Sequence, residues 1–221
     1  MKKILIFLLL TGLVTTALNA QKRSKNRFNA GLILGVNTSQ IDGDYYAGYD
    51  KFGMFGGLRA IARIGKTSEL VFEMQYNRKG SKNPAQFVSG QQNSRFISLD
   101  YIEVPIFYHK KIDTKIGVGS IEGGIIYNRL FGFRINDLEN SPNYDYDTFF
   151  DIQNDFNRND LAVGIGGGIY INEHIGIMSR FTYAITLLYK NENRDGRFYL
   201  DKPDIYSLRN MQLGFGINYI F

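Results

Sequence analysis

The amino-acid sequence predicts an all-β fold, an eight-stranded antiparallel up-and-down transmembrane β-barrel. Eight segments alternate apolar and polar residues with a period of two, which is the pattern of a strand with two different faces. The connections between these segments alternate long and short along the chain. One face carries leucine, isoleucine, phenylalanine and tyrosine, and the other carries glycine, asparagine, glutamine, glutamate and arginine. An even strand number, short turns at one end and long loops at the other are typical of a barrel that spans a membrane.

Each predicted strand is justified by its own alternation. The predicted strands span residues 28–37, 52–64, 69–77, 97–109, 115–131, 161–171, 175–189 and 213–221. The first alternates leucine and valine with glycine and asparagine, and the second opposes Leu58 to Arg59. The third opposes Met74 to Glu73. The fourth alternates regularly, although Pro105 within it has no N–H to donate to a neighbouring strand.

The second half of the chain repeats this pattern. The fifth strand opposes Ile121 to Glu122, and the seventh opposes Phe181 to Arg180. The sixth strand carries glycines on its polar face. The eighth, LGFGINYIF, continues its alternation to the last residue, Phe221. We expect this strand to pair with the first, so that no strand edge is left open in lipid.

The N-terminus has the pattern of a secretory signal peptide. Lys2 and Lys3 precede an apolar run, and small residues follow up to Ala20. We therefore expect a signal peptide over residues 1–20, a basic tail over 21–27 and the barrel domain over 28–221. The predicted mature chain has 24 basic and 21 acidic residues, a balance of +3 that does not suggest a nucleic-acid partner. It has no cysteine, which excludes disulfides and thiolate sites.

The polar face is expected to line the lumen. In a soluble barrel the apolar face would turn inward and leave a glycine-rich outer surface, whereas lipid favours the apolar face outside. Three inward glutamates on neighbouring strands need cations beside them, because carboxylates this close do not all ionise alone. We therefore predict a lumen charge network of Arg59, Arg63, Glu73, Glu103, Glu122 and Arg180. The alternative is a narrow wet lumen in which these charges are hydrated separately.

Opposite walls of the lumen are expected to be complementary in size. If each strand faces the fourth strand after it, the arginines of the second strand meet the glycines of the sixth. By the same rule, Tyr101, Glu103 and Phe107 of the fourth strand meet Gly214 and Gly216 of the eighth.

The long loops are the expected place for function. The loop after the fifth strand combines many acidic residues with aromatic residues that suit partner recognition, namely Tyr144, Tyr146, Phe149, Phe150 and Phe156. The loop after the third strand is basic, with Arg78, Lys79, Lys82 and Arg95. It could pair with the acidic loop or with lipid phosphates. Both loops could also be solvated segments that only close the barrel.

Catalytic and metal-binding patterns are weak. Lipid-modifying barrels need a His–Ser or Asp–His set near the outer leaflet. The two histidines, His109 and His174, fall instead at the predicted periplasmic end, and the sequence offers no metal-ligand spacing. We therefore predict no catalytic residue, no cofactor and no metal.

Two stretches resemble the PorT-like family of outer-membrane β-barrel proteins. ELVFEMQYNRKG is similar to that family's Glu-x-x-Tyr-x-x-x-Gly strand, and LDYIEVPIFYHKK is similar to its Tyr-Leu-Glu-Ile-Pro strand. The matching residues are Glu73, Tyr76, Gly80, Tyr101, Glu103 and Pro105. The resemblance implies the barrel fold and the outer membrane. It also implies that Tyr219 and Phe221 form a C-terminal signal for the outer-membrane insertion machinery.

These features together predict a non-enzymatic, monomeric outer-membrane barrel with a side-chain-filled lumen. Its expected role is structural, or interaction with an unknown protein through its extracellular loops. Its other expected partners are outer-membrane lipid and the barrel insertion machinery. One alternative, suggested by the resemblance, is a component of a type IX-like protein secretion system. The other is a narrow pore for small solutes.

Overall fold

The chain folds into one closed sheet with a short helical turn above it. The computed structural model describes residues 27–44, 48–82, 86–88, 91–93, 96–114, 117–136, 152–190 and 207–221. The barrel strands are β1 (Phe28–Asp42), β2 (Lys51–Arg63), β3 (Ser68–Lys82), β4 (Phe96–Thr114), β5 (Gly117–Asn136), β6 (Asn159–Tyr170), β7 (Ile175–Ala184) and β8 (Ser207–Ile220). The smaller elements are a hairpin of Gln86–Val88 with Gln91–Asn93, a 3-10 turn at Gln153–Asp155 and a two-residue strand at Tyr189–Lys190.

Each barrel strand pairs antiparallel with the next, and β1 also pairs with β8. The closing ladder runs from Gly31 opposite Ile220 to Asp42 opposite Arg209. Closure satisfies the backbone groups that an open edge would expose to hydrocarbon. The predicted eight-stranded antiparallel barrel is therefore confirmed. Among the described residues, no helix is long and apolar enough to cross a membrane.

The connections alternate as the sequence predicts. The β2–β3, β4–β5 and β6–β7 connections are short, and both ends of the barrel chain lie beside them. There Ile220 N–H donates to the His174 carbonyl at 2.7 Å, and Phe221 N–H donates to the Ala30 carbonyl at 2.9 Å. We call this the periplasmic end, because short turns mark that end in outer-membrane barrels. The long connections lie at the other end, which we call the extracellular end.

The distribution of polarity is the reverse of that in a soluble protein. Large apolar side chains point outward, among them Leu34 at 70% and Ile165 at 66% exposure. Charged and amide side chains are buried inside, among them Glu73 and Arg180 at 3% and 4%. A soluble domain rarely buries charges while exposing a continuous apolar belt. The outer face is therefore suited to hydrocarbon.

Several strand ends differ from the sequence prediction. β3 extends to Lys82 and β5 to Asn136, each beyond the predicted end, because polar residues continue the ladder into the extracellular rim. β7 stops at Ala184, before the predicted end, because the chain turns and buries Leu188 in the barrel mouth. A register shift between Asp100 and Tyr101 also makes the β4–β5 ladder irregular near this rim.

The lipid-facing belt predicts a depth-dependent cost for charge. Ile125 is 58% exposed on the outer face of β5, between Ile106 and Val163 on the neighbouring strands. We expect Ile125→Arg to lower the free energy of unfolding by about 2–4 kcal/mol in phospholipid vesicles. Ile171→Arg is the matched control, because Ile171 is similarly exposed, at 63%, but lies at the periplasmic turn, where about 0–1 kcal/mol is expected. Denaturant unfolding followed by circular dichroism measures both, and equal costs would contradict a lipid-facing belt.

Candidate functional site

Glycine and aromatic residues share the lumen wall in two rows. Phe55 on β2 lies opposite Gly35 on β1, which lies opposite Gly216 on β8. A Cβ placed on Gly216 would meet the Phe55 ring at 2.9 Å, and one on Gly35 would meet it at 2.4 Å. The ring of Phe55 therefore lies over two bare backbone positions.

The second row has the same composition on the opposite side of the barrel. Phe107 on β4 lies opposite Gly124 on β5, which lies opposite Gly164 on β6. A Cβ on Gly164 would meet the Phe107 ring at 2.8 Å. The expectation that glycines receive side chains from the strand four places away is therefore wrong for both rows. The large rings lean sideways over the next two strands instead of reaching across the lumen.

Four charged residues form a closed ring in the middle of the lumen. We call Arg59, Glu73, Glu122 and Arg180 the charge ring. Arg180 contacts Glu73 at 2.8 Å and Glu122 at 2.7 Å. Arg59 contacts the same two carboxylates at 3.0 and 3.4 Å. All four side chains are 5% exposed or less, and the formal charges of the ring cancel.

The strand register explains how the charge ring assembles. Arg59 and Glu73 are directly opposite residues on β2 and β3. Glu122 and Arg180 lie on β5 and β7, with only Gly166 of β6 between them in register. Two neighbouring pairs therefore face each other and join across the lumen. The Arg180 guanidinium also lies 4.0 Å from the centre of the Phe107 ring, which links the charge ring to the second glycine row.

The other two predicted network residues lie elsewhere. Glu103 pairs with Lys79 at 2.8 Å and accepts a hydrogen bond from Gln75 at 3.0 Å, towards the extracellular end. Arg63 approaches Glu69 at 3.6 Å at the periplasmic end, and its side chain is 44% exposed. The structure therefore divides the predicted residues into a central ring of four and two outlying pairs. Each outlying pair is completed by a residue that the sequence reasoning did not place in the network.

The periplasmic pair belongs to a larger cluster around one carboxylate. Glu69 also contacts Lys111 at 2.8 Å and His109 Nδ1 at 3.1 Å. A cavity of about 600 Å³ opens beside this cluster, with Arg63, Lys111 and His174 in its lining. Glu69 lies on the polar face of the predicted third strand, so the alternation of the two faces is enough to predict that its side chain points into the lumen. Its basic partners come from neighbouring strands, and finding them required the register.

An apolar cluster fills the extracellular end of the barrel. We call it the mouth cluster, and its buried members are Ile41, Ile97, Leu99, Tyr101, Leu130, Ile152, Phe156, Leu188, Tyr189 and Leu208. Ile152 and Phe156 come from the connection between β5 and β6, and Phe156 packs edge-on against Phe133 with ring centres 5.9 Å apart. The 3-10 turn between them lets both side chains point down into the mouth. This connection is therefore anchored to the barrel at its C-terminal part.

The predicted loop residues have different positions. Tyr144, Tyr146, Phe149 and Phe150 lie outside the described residues. Phe156 is 5% exposed within the mouth cluster. It is a packing residue of the barrel mouth, because a side chain buried in this way offers no surface to a partner. Only the isolated apolar pair at 152 and 156 in a polar stretch could have indicated this from the sequence.

The two histidines are held by structural contacts. His109 lies between Glu69 and the edge of the Tyr170 ring. His174 Nδ1 lies 2.7 Å from the Ile220 carbonyl, and its ring stacks on Tyr219 with centres 5.8 Å apart. The described part of the chain contains no group of three histidine, cysteine or acidic residues that could hold a metal ion.

The C-terminal aromatic residues lie on the outer face at the periplasmic end. Tyr219 is 44% and Phe221 66% exposed, and their rings pack edge-on 5.8 Å apart. This position matches the aromatic girdle that flanks the apolar band of outer-membrane barrels.

Comparison with models of protein families shows which family the chain belongs to. The sequence model of the outer membrane protein beta-barrel domain family matches residues 19–190. The chain belongs to this family. It is therefore an outer-membrane β-barrel protein, in agreement with its apolar outer face and closed sheet. No curated protein matches the chain.

The solved structures that match over most of the chain are distant in sequence. Ail, the attachment invasion locus protein of Yersinia pestis, in complex with the heparin analogue sucrose octasulfate, is 13% identical, with 88% of this chain and 99% of Ail covered and a TM-score of 0.42. Neisserial surface protein A is 16% identical, with 89% and 98% covered and a TM-score of 0.45. OprG from Pseudomonas aeruginosa is 11% identical, with 88% and 94% covered and a TM-score of 0.38.

Replacing one member of the charge ring is expected to cost more stability than replacing all four. We expect Arg180→Met to lower the free energy of unfolding by about 3–5 kcal/mol, because the two buried carboxylates of the ring are then left with Arg59 as their single cation. Replacing the whole ring, as Arg59→Met, Glu73→Gln, Glu122→Gln and Arg180→Met together, is expected to cost less than the single change, since no charge is left unpaired. Denaturant unfolding in phospholipid vesicles measures both variants.

Arg129→Met is the control for this experiment. Arg129 is an exposed arginine that donates a hydrogen bond to Asn159, and its loss should change stability by about 0.5 kcal/mol or less. If Arg180→Met costs no more than this control, the charges in the lumen are hydrated separately and the ring contributes no specific pairing.

Proposed function

We propose that this protein is a non-enzymatic outer-membrane barrel that serves as a membrane scaffold and presents its extracellular loops to a protein partner. The observation that supports this best is the filled interior. The charge ring crosses the lumen at mid-depth, and the mouth cluster covers its extracellular end. A barrel of eight strands has an interior just wide enough for side chains. A filled interior favours a role on the surface over a role in conduction.

The anchored connection between β5 and β6 is the proposed interaction element. Ile152 and Phe156 fix its C-terminal part in the mouth. Its N-terminal part begins where β5 ends, at Asn136. Residues 137–151 connect these two fixed points and contain four of the five predicted aromatic candidates. Aromatic residues supply large contact areas at protein interfaces, and acidic residues around them favour a basic partner surface.

Site-specific cross-linking in cells tests this proposal. A photoreactive amino acid replaces Tyr144, Tyr146, Phe149 or Phe150 in turn, and the matched control replaces Lys66 in the short β2–β3 turn. We expect a discrete cross-linked species from at least one loop position and none from Lys66, because the partner meets the barrel at its extracellular end. The same adduct from Lys66, or no adduct from any loop position in a barrel that folds, would contradict the proposal.

Conductance in planar bilayers tests the alternative of a narrow pore. We expect the purified barrel to show no large steady conductance, because buried ion pairs occupy the middle of the lumen. The variant with alanine at Arg59, Glu73, Glu122 and Arg180 empties the ring without leaving an unpaired charge. The mouth cluster stays in place in this variant, so any gain in its conductance measures what the ring alone blocks. A large steady conductance from the unmodified protein would establish the pore instead.

A role in protein secretion is the second candidate. Its support is the resemblance of the strands that carry Glu73 and Glu103 to the PorT-like family. The predicted export signal over residues 1–20 and the predicted C-terminal insertion signal at Tyr219 and Phe221 are compatible with either role. Deleting the gene and measuring secreted cargo separates them, because a scaffold with another partner leaves secretion unchanged.

A further inference from the structure

A row of polar side chains crosses the lumen on the extracellular side of the charge ring. We call it the amide row, and its members, on β3, β4, β5 and β6, are Gln75, Glu103, Asn128 and Asp160. Each is directly opposite the next, and opposite residues of antiparallel strands have Cβ atoms about 4.5–5.5 Å apart on the same face. The row contains two carboxylates, and Lys79 neutralises only that of Glu103, at 2.8 Å.

Asp160 has only neutral partners. The Thr186 hydroxyl donates to one of its carboxylate oxygens at 3.2 Å, and the Asn210 amide donates to the other at 3.4 Å. The same amide also donates to the Tyr101 hydroxyl at 3.0 Å. Asp160 is 1% exposed, and the described residues place no arginine, lysine or histidine at ion-pair distance from it. Burying an ionised carboxylate is costly unless a positive charge accompanies it.

Amide oxygens in and beside the row also lack partners. Both amide atoms of Asn128 are fully buried without a hydrogen bond to any described group, although a carboxylate lies on either side of this residue in register. The side-chain oxygens of Gln75 and Asn210 are buried in the same condition. Buried polar atoms are normally bonded, so unbonded oxygens beside an unpaired carboxylate indicate a ligand that accepts electron pairs.

The charge balance of this half of the lumen limits the ligand to one positive charge. The charge ring cancels internally, and Lys79 cancels Glu103. Nearer the rim, the described chain adds one cation, the half-buried Lys51, and one carboxylate, the buried Asp44, which has contacts of its own. Asp160 is therefore the single uncompensated charge. A monovalent cation balances it, whereas a divalent cation would leave a buried positive excess.

Protein groups cover the amide row on both sides. Tyr101 and Leu130 of the mouth cluster form the next inward row towards the extracellular end. In the other direction, Glu73 of the charge ring is the next inward residue of β3. An ion held between these layers depends on protein oxygens, in the way that carbonyl oxygens replace the hydration shell of ions in a selectivity filter.

We propose that the carboxylate of Asp160 and the amide oxygens of Asn128 and Asn210 bind a monovalent alkali cation. All of these donors are oxygens, which suit hard cations better than transition metals. Asp160 is the second residue of β6 and follows the connection that Ile152 and Phe156 anchor. The bound ion therefore fixes the start of β6 beneath the mouth cluster.

Unfolding of the barrel in vesicles of neutral phospholipid, at one ionic strength, tests the proposal. The probes are the chlorides of sodium, potassium, calcium and choline, because choline is too large for the covered row. The test variant is Asp160→Asn, which removes the charge and keeps the shape. Asp113→Asn is the matched control, since Asp113 is an exposed carboxylate at the periplasmic end. The gel migration of unboiled samples shows that each variant is folded.

We expect the folded-to-unfolded ratio of the unmodified barrel to rise about tenfold for each tenfold increase in sodium or potassium, as the binding of one ion to the folded state requires. Asp160→Asn should lose this dependence, and Asp113→Asn should keep it. Equal stability of the unmodified barrel in all four salts would overturn the proposal, because Asp160 would then be neutral or hydrated. A dependence that persists in Asp160→Asn, or that calcium alone produces, would overturn it as well.

Asn128→Leu separates ion binding from packing. This change replaces the amide group with two methyl groups and leaves Asp160 in place. We expect the sodium dependence to remain but to shift to higher concentrations, because one oxygen ligand is lost. An unshifted dependence would contradict the role of Asn128 as a ligand. These outcomes are independent of any partner of the extracellular loops.

Discussion

Closure of the sheet between β1 and β8 is the constraint on which the rest of the structure depends. A strand in hydrocarbon must have its backbone groups paired, so the ring of strands has to close. Closure at eight strands fixes a narrow interior that only the inward side chains can fill. Every second residue of each strand is therefore selected for size and polarity inside the barrel. The residues between them are selected for contact with lipid.

Two solutions to this filling problem lie side by side in the lumen. The glycine rows give the rings of Phe55 and Phe107 space against the wall, so their bulk does not reach across the barrel. The middle is then left to the charge ring, where two neighbouring pairs meet with their charges cancelled. Gly166 serves the charge ring, because its missing side chain lets Glu122 and Arg180 meet across β6. The two arrangements touch where the Arg180 guanidinium lies over the Phe107 ring. The aromatic rows and the ion pairs are thus parts of one packing scheme.

The sequence predicts the fold well because alternation reports which face each residue occupies. The faces of Leu58, Glu73 and Phe181 follow from their parity alone. Parity does not report which residues of different strands share one height, so the sequence places Glu103 and Arg63 in one network with the other four charges, although they pair with Lys79 and Glu69. The sequence predicts Lys79 in a loop, since polar residues at a rim look the same in a strand and in a loop. Strand alternation does not predict the mouth cluster, because Ile152 and Phe156 enter it through a turn and not through a strand.

The two faces also fix the register of the strands. Arg78 and Lys79 are consecutive residues of β3, yet Arg78 lies on the outer face with Asp100 and Lys79 lies in the lumen with Glu103. A slip of one residue would move Glu73 out of the charge ring and into hydrocarbon, and it would bring Met74 inside in its place. A charged side chain that faces hydrocarbon near the bilayer centre is costly, and a slip of one residue is enough to turn a lumen-facing charge towards lipid. The charge ring therefore selects the single register in which the lipid-facing belt is also formed.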